Sequence, residues 1–229
     1  MTQPAIFLAS SFALPDAETL TTARLVKPDE REALGHYGHM PPNPDRIGGT
    51  FSFSTLDGKS TKQADFMGQW TLLYFGYARC TDSCPMAIPV IANAARELRE
   101  SGLKIRAAFV DIEAPAIGHV RRRGRSTEPH PVHLHEVDRT RALRNLQSSF
   151  GANLQILTGT RGQLSAATAA FFVAREHIPP REGERGHSMN HSSLIYILDP
   201  KAKVAGYGYH TTSAEILVET VQKLRKAKG

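Results

Sequence analysis

The chain holds two cysteines, Cys80 and Cys84, in a stretch that also contains Gly, Asp and Pro. The stretch follows an apolar run and precedes Pro85, a residue that favours the first turn of a helix. Thiolates are soft metal ligands and reversible redox groups, so the pair indicates copper binding, zinc binding or disulfide exchange. Two cysteines buried as small apolar residues are the structural alternative, but the turn-forming residues around them favour a shaped loop.

The spacing of the cysteines bears on these alternatives. In a regular helix their Cβ atoms would lie about 5–6 Å apart, whereas a disulfide needs roughly 3.5–4.5 Å. Non-helical backbone at Thr81-Asp82-Ser83 would have to close that gap, while a metal between two thiolates tolerates it. The spacing therefore mildly favours a metal and leaves a disulfide open. Pro85 also places Cys84 at or near a helix N-cap, where the helix dipole favours the thiolate.

A third ligand has to come from another part of the chain, and the candidate is His191, directly before a predicted strand. If that strand runs antiparallel to the strand before Cys80, its start lies at the same edge of the sheet. A polar cap without metal is the alternative for a lone histidine there. The nearby His187 and Met189 favour copper, which accepts thioether and imidazole as well as thiolate.

The elements that must position these residues follow an α/β pattern. Trp70–Tyr77 is a continuous apolar strand of the kind buried on both faces of a parallel sheet. The sequence predicts a helix from Pro85 to Ser101 and a parallel strand from Lys104 to Asp111. The remaining predictions are a hairpin opened by Gly48-Gly49 with a turn at Asp57-Gly58, helices over 138–150, 162–175 and from Ser213, and strands over 154–157, 192–198 and 204–209.

Composition narrows the class of protein. The 229 residues, 41% hydrophobic and 22% charged, suit one globular domain with a real core. No apolar run is long enough to span a membrane, although the weak apolar patch within Met1–Leu14 fits a truncated signal or anchor, or a mature N-terminus. The net charge of +6 is not interleaved with aromatic residues as a nucleic-acid surface would be, so we expect no nucleic-acid partner.

The chain is predicted to divide into an extension or linker over residues 1–47 and a domain over 48–229, with a His- and Arg-rich insertion at 113–137. We interpret the insertion as a non-helical surface segment whose Arg121–Arg125 cluster steers an acidic partner. Auxiliary copper binding is the alternative for its histidines and for those of the Pro-rich extension: His119, His130, His133 and His135, and His36, His39 and Met40.

Several motifs together resemble the Sco/SenC family of copper-binding proteins over about residues 47–225. They are Phe75-Gly76-Tyr77 followed by Cys80, Asp82, Cys84 and Pro85, and His191-Ser192-Ser193 before a strand ending in Asp199-Pro200. The resemblance implies a thioredoxin-like fold with a central mixed sheet flanked by helices. It also implies one copper ion, Cu(I) or Cu(II), held by Cys80, Cys84 and His191. Two positions depart from the family pattern: Asn190 replaces an aspartate, and Ile112-Glu113-Ala114-Pro115 replaces a Pro-x-Arg-Asp-Thr-Pro motif.

The resemblance further implies a role in assembling the binuclear copper centre of cytochrome c oxidase, with a cuproenzyme subunit such as oxidase subunit II as partner. The expected location is the periplasm or the outer face of an inner membrane, with association through an N-terminal anchor. A metallochaperone is therefore expected. A thiol–disulfide oxidoreductase, with Cys80 and Cys84 as its redox pair, is the alternative, and His191 discriminates because exchange chemistry needs no imidazole. A thiol peroxidase fits less well, because the sequence shows no set of Thr or Ser and Arg around one cysteine. A zinc site also fits less well, since it would have an open fourth position and no obvious general base.

Overall fold

A computed structural model describes residues 24–25, 47–79, 84–113, 131–173, 175–178, 188–192 and 194–228. Within these ranges the side chains of 24–25, 84–85, 131–136, 175–178, 188–190 and 228 lie outside the description. The described elements are strands β1 (Arg24–Leu25), β2 (Ser52–Thr55), β3 (Ser60–Lys62), β4 (Trp70–Gly76), β5 (Ile105–Asp111), β6 (Gln155–Thr158), β7 (Arg175–Ile178), β8 (Ser188–His191), β9 (Leu194–Leu198) and β10 (Val204–Tyr209), helices α1 (Cys84–Glu100), α2 (Pro131–Phe150), α3 (Arg161–Ala170) and α4 (Ala214–Lys228), and 3-10 turns at Gln63–Phe66 and Gly151–Asn153.

Eight of the described strands form one mixed sheet in the order β1-β10-β9-β4-β5-β6-β2-β3. Strands β4, β5 and β6 are parallel, whereas β9 runs antiparallel to β4 on its other side. Strands β7 and β8 form a separate antiparallel pair. The predicted α/β architecture with a central mixed sheet and an N-terminal hairpin, β2–β3, is therefore confirmed.

The central strand β4 is buried along all seven of its residues, as its apolar run predicts. Its side chains alternate between two cores. Leu72 and Tyr74 pack with residues of α1, α2 and α4 on one face, whereas Leu73 and Phe75 pack with residues of α3 on the other. The sheet is thus covered by helices on both sides. The buried strand β4 therefore fixes the position at which the segment after Gly76 begins.

Helix α1 begins and ends one residue before its predicted bounds, and its apolar face is buried: Ile88, Ile91, Ala95 and Leu98. It ends where Gly102 adopts a φ of 86°, which glycine tolerates without strain, and the Leu103 amide donates to the Leu98 carbonyl over 2.9 Å. Ser213, from which this helix was predicted to begin, caps α4 by accepting from the Ile216 amide through its hydroxyl. In the described ranges, none of the helices has the length and apolarity that crossing a membrane requires.

Three boundaries differ from the prediction. Helix α2 begins at Pro131, so the last residues of the expected non-helical insertion are helical. Proline suits a first helical turn, whereas the histidines and glutamate within residues 131–137 are typical of a polar loop. Residues 114–130 of the insertion lie outside the described part of the chain.

The other two differences lie between α3 and β9. Helix α3 ends at Ala170, not near Arg175, because Phe171 turns into the core and Phe172 takes a positive φ of 54°. The strand predicted from Ser192 begins at Leu194 and is preceded by the separate strand β8. In addition, the predicted N-terminal extension contains the short edge strand β1, which pairs with β10; the proposed domain boundaries remain predictions.

We predict that Leu73→Ala lowers the free energy of unfolding by about 2–5 kcal/mol, because it removes methyl groups from a closed core and leaves a cavity. Met67→Ala is the matched control. Met67 is 55% exposed, so its truncation should change stability by less than about 0.5 kcal/mol. Urea unfolding of both variants followed by circular dichroism measures the difference. Equal losses in the two variants would contradict the assignment of β4 as the centre of the core.

Candidate metal centre

The two chain segments that carry Cys84 and His191 meet at the carboxyl edge of β4. Cys84 is the first residue of α1, as its predicted place near the helix N-terminus requires. His191 is the last residue of β8 and lies three positions before β9. Because β9 runs antiparallel to β4, with Tyr74 opposite Ile195, its start lies beside the end of β4. The antiparallel strand on which the third ligand depends is therefore present.

Cys80 and residues 81–83 lie outside the described part of the chain, as does the side chain of Cys84. The described residues that flank this stretch are Arg79 and, for its backbone, Cys84. The ligand set Cys80, Cys84 and His191 therefore remains a prediction. Among the described side chains, no group of three or more His, Cys, Asp or Glu residues could hold a metal. All the histidines named as additional copper candidates also lie outside the described side chains: His36, His39, His119, His130, His133, His135 and His187.

The His191 ring is oriented by two tyrosines and by its own backbone. Its ring lies edge-on to Tyr74, with centroids 6.2 Å apart, and to Tyr77, with centroids 5.9 Å apart. Its Nδ1 lies 3.0 Å from the Ser192 carbonyl oxygen. Since a carbonyl only accepts hydrogen bonds, Nδ1 carries a proton in this contact, which leaves Nε2 as the nitrogen for a metal. The half-buried imidazole lies close to Tyr77, three residues before Cys80 in sequence.

The start of α1 supplies the electrostatics that a thiolate needs. The first amides of a helix have no partner within the helix, and the helix dipole places partial positive charge at this end. A cysteine at this position is therefore favoured as the thiolate, the form that binds metal and attacks disulfides.

A buried pair of opposite charges lies beneath this edge, and sequence reasoning missed it. Asp111 ends β5 with a fully buried side chain and accepts from Arg139 Nε over 2.7 Å. Arg139 also donates to the Thr158 hydroxyl, and the backbone amide of Ala78 lies 3.4 Å from the second Asp111 oxygen. One signal was present in the sequence, because a charged residue directly after an apolar parallel strand stands where α/β sheets place their sites.

A second ion pair lies at the same edge. Glu113, two residues after β5, is buried and pairs with Arg79, the residue directly before Cys80. Glu113 was predicted to begin a surface insertion. The surface position is wrong for this residue, because its side chain is buried. Both ends of the segment between β4 and Cys80 are therefore attached to the end of β5.

A central mixed sheet with a cysteine opening the helix after its central strand is typical of thioredoxin-like proteins. A family model described as SCO1/SenC matches residues 39–115 and 135–226. The chain belongs to the SCO1/SenC family, and the resemblance drawn from its motifs is confirmed. The two matched stretches leave residues 116–134, within the predicted insertion, between them.

Curated relatives agree with this assignment. The human mitochondrial SCO1 homolog is 26% identical over 219 residues, covering 95% of this chain and 66% of that protein. The bovine mitochondrial SCO2 homolog is 27% identical over 179 residues, which cover 76% of this chain. The chain spans about 59% of the length of that SCO2 relative.

Solved structures confirm the fold. Arabidopsis thaliana ScoI with copper bound superposes with a TM-score of 0.63 at 23% identity, covering 79% of this chain and 99% of that one. Yeast Sco1 with copper bound gives a TM-score of 0.61 at 19% identity, covering 79% of this chain and 88% of that one. The predicted thioredoxin-like fold is therefore correct.

Burial raises the pKa of Asp111 to about 7, against the opposing effect of Arg139 and with a smaller contribution from the neighbouring Glu113. The unfolded chain releases this proton near its ordinary pKa of about 4. Between these values the folded protein holds a proton that the unfolded chain has lost, so the stability contributed by Asp111 is present below about pH 4 and is lost as the pH rises toward 7.

We therefore predict that the difference in free energy of unfolding between the wild-type protein and Asp111→Asn changes with pH. The wild-type protein should lose stability relative to the variant as the pH rises from about 4 to 7. Urea unfolding of both proteins at unit pH steps measures this difference. A difference that grows in favour of the wild type over this range would show that Arg139 outweighs burial.

Proposed function

We propose that this protein binds copper through Cys80, Cys84 and His191 and delivers it during assembly of the copper centre of cytochrome c oxidase. One observation carries the proposal. The antiparallel strand β9 brings His191 against Tyr77, three residues before Cys80 in sequence, and Cys84 begins the helix that follows. Two segments that are distant in sequence thus meet at one edge of the sheet, which supports the predicted set of one nitrogen and two sulfur donors.

The chemistry of these donors suits copper. Two thiolates and a neutral imidazole form a soft ligand set, and Cu(I) is satisfied by two or three such ligands. Cys84 is favoured as thiolate by the helix terminus, and the hydrogen bond from His191 Nδ1 leaves Nε2 for the metal. Zinc would usually take a fourth ligand, which the proposed set of Cys80, Cys84 and His191 does not include.

The relatives support the same function. The Arabidopsis and Bradyrhizobium japonicum ScoI structures contain copper, and another Sco structure is described as a member of the family of cytochrome c oxidase assembly proteins. The curated SCO1 and SCO2 relatives are mitochondrial, and a Bacillus anthracis family member is a lipoprotein. We infer that the chain acts at the outer face of an inner membrane and that its recipient is a copper-binding oxidase subunit such as subunit II.

A thiol–disulfide oxidoreductase is the second candidate. The position of Cys84 at the start of α1 favours it, because a helix N-terminus stabilises the attacking thiolate. A Sco protein with a reported disulfide switch superposes with a TM-score of 0.52 at 18% identity. Exchange would use Cys80 and Cys84 without His191, so the effect of the histidine separates the two functions.

We predict one tightly bound copper ion per reduced chain. Cys80→Ser and Cys84→Ser should each abolish tight binding, whereas His191→Ala should weaken it less, because two thiolates still satisfy Cu(I). Titration with Cu(I) in competition with a chromogenic chelator measures stoichiometry and affinity.

His39→Ala is the matched control, since this histidine belongs to the predicted extension and should not affect the site. The proposal fails if all three ligand variants bind copper as the wild-type protein does. A loss of binding in His39→Ala would instead place copper in the N-terminal segment.

Oxidation gives an independent prediction. A Cys80–Cys84 disulfide uses the sulfurs that would otherwise bind the metal, so the oxidised protein should bind no copper at this site. Mass spectrometry verifies the loss of two hydrogens, and dialysis against copper followed by metal analysis measures binding. His191→Ala should leave disulfide formation unchanged. Full copper loading of the oxidised protein would rule out the two thiolates as ligands.

A further inference from the structure

The chain between β4 and Cys80 runs alongside the chain that leaves β5, beyond the end of the sheet itself. The Ile112 amide donates to the Gly76 carbonyl over 2.8 Å, which extends the pairing by one residue. The Ala78 amide then approaches Asp111, and the Arg79 side chain meets Glu113. Gly76, Ala78 and Arg79 thus each contact the chain at the end of β5, and the Arg79–Glu113 contact is the one next to Cys80 in sequence.

The Arg79–Glu113 contact has the two-pronged geometry that fixes both partners. Arg79 Nε donates to one Glu113 oxygen over 3.2 Å, and its Nη2 contacts the other oxygen. The side chains are 20% and 3% exposed, respectively. An exposed pair on α1, Arg96–Glu100, has side chains 51% and 64% exposed and carries little energy. Because the Arg79–Glu113 pair is enclosed and two-pronged, it constrains both side chains more than the exposed pair does.

We propose that Glu113, acting through Arg79, is a positioning residue that holds Cys80 for copper binding. The proposal rests on the copper-binding function proposed above. Arg79 directly precedes Cys80 and consecutive Cα atoms are about 3.8 Å apart, so a fixed Arg79 limits the positions that Cys80 can take. Partners that orient a metal ligand typically contribute tenfold or more to affinity.

A purely electrostatic role predicts a different outcome for the same residue. If the pair only set the local charge, removing the Glu113 carboxylate would leave Arg79 fully positive beside two thiolates and their copper. The extra positive charge would stabilise the thiolates, so Cu(I) would bind more tightly. If Glu113 positions Cys80, the same change weakens binding. The direction of the change in Glu113→Gln therefore decides between the two roles.

The experiment measures Cu(I) affinity of the full reduced chain in competition with bicinchoninic acid. We expect Glu113→Gln to bind about 10–100-fold more weakly. Glu113→Asp keeps the charge but shortens the side chain, and it should also weaken binding. Glu100→Gln, which removes a carboxylate from the exposed α1 pair, should stay within about twofold of the wild type. Unchanged or tighter Cu(I) binding in Glu113→Gln would overturn the proposal, and so would wild-type Cu(I) affinity in Glu113→Asp.

Far-UV circular dichroism and thermal unfolding of each variant establish that it is folded. If a Glu113 variant fails to fold, Arg79→Lys replaces it, because lysine keeps the charge but cannot make the two-pronged contact. Weaker Cu(I) binding in folded Arg79→Lys supports the positioning role, and wild-type affinity contradicts it.

A copper-free measurement separates this inference from the proposed function. If Cys80→Ser binds copper as tightly as the wild-type protein does, the proposed copper site is wrong. The position of Cys80 is then tested by the equilibrium with oxidised dithiothreitol, in which the two protein thiols form the disulfide and dithiothreitol is reduced. Looser placement of Cys80 lowers the effective concentration of one thiol near the other, so the disulfide fraction should fall in Glu113→Asp. An equilibrium constant equal to that of the wild type would contradict positioning by Glu113.

Discussion

The candidate site depends on the pairing of β9 antiparallel to β4. With Tyr74 opposite Ile195 and Thr71 opposite Leu198, the start of β9 lies at the edge where β4 ends. A parallel β9 would have placed His191 at the other end of the seven-residue strand, roughly 20 Å away. The parallel partner β5 serves the complementary purpose, because its end lies beside the end of β4 and receives the segment that leads to Cys80.

Buried charges at the end of β5 have an energetic cost that packing alone would not require. Asp111 and Arg139 are almost fully enclosed, and such pairs seldom add net stability over apolar residues of the same size. These pairs add directional contacts. A carboxyl group accepts a hydrogen bond from one particular donor, whereas a leucine packs against any apolar neighbour. Asp111 reaches Ala78, and Glu113 reaches Arg79. Two acidic side chains, Asp111 and Glu113, are thus buried at a cost in solvation free energy, and both contact the segment that leads to Cys80.

Much of this architecture follows from the sequence, because hydrophobic pattern dominates where burial is complete. The run from Trp70 predicted β4, and the pattern after Pro85 predicted α1. The pattern failed where polar residues are helical or turns interrupt a run. The histidines and glutamate within residues 131–137 are typical of a polar loop, so the predicted start of α2 was seven residues too late. The ion pairs were beyond reach, since they join residues whose proximity only the sheet register establishes.

The segments that carry the predicted ligands are attached to the rest of the structure in different ways. Cys84 begins a helix packed into the core, and His191 is held by two tyrosine rings and a carbonyl. The segment before Cys80 is attached differently, because the Ala78 amide approaches the Asp111 carboxyl group and the Arg79 side chain contacts Glu113. Under the proposed function, the approach to Cys80 therefore depends on two acidic side chains of the chain that leaves β5, whereas α1 and β4 depend on core packing and regular backbone pairing.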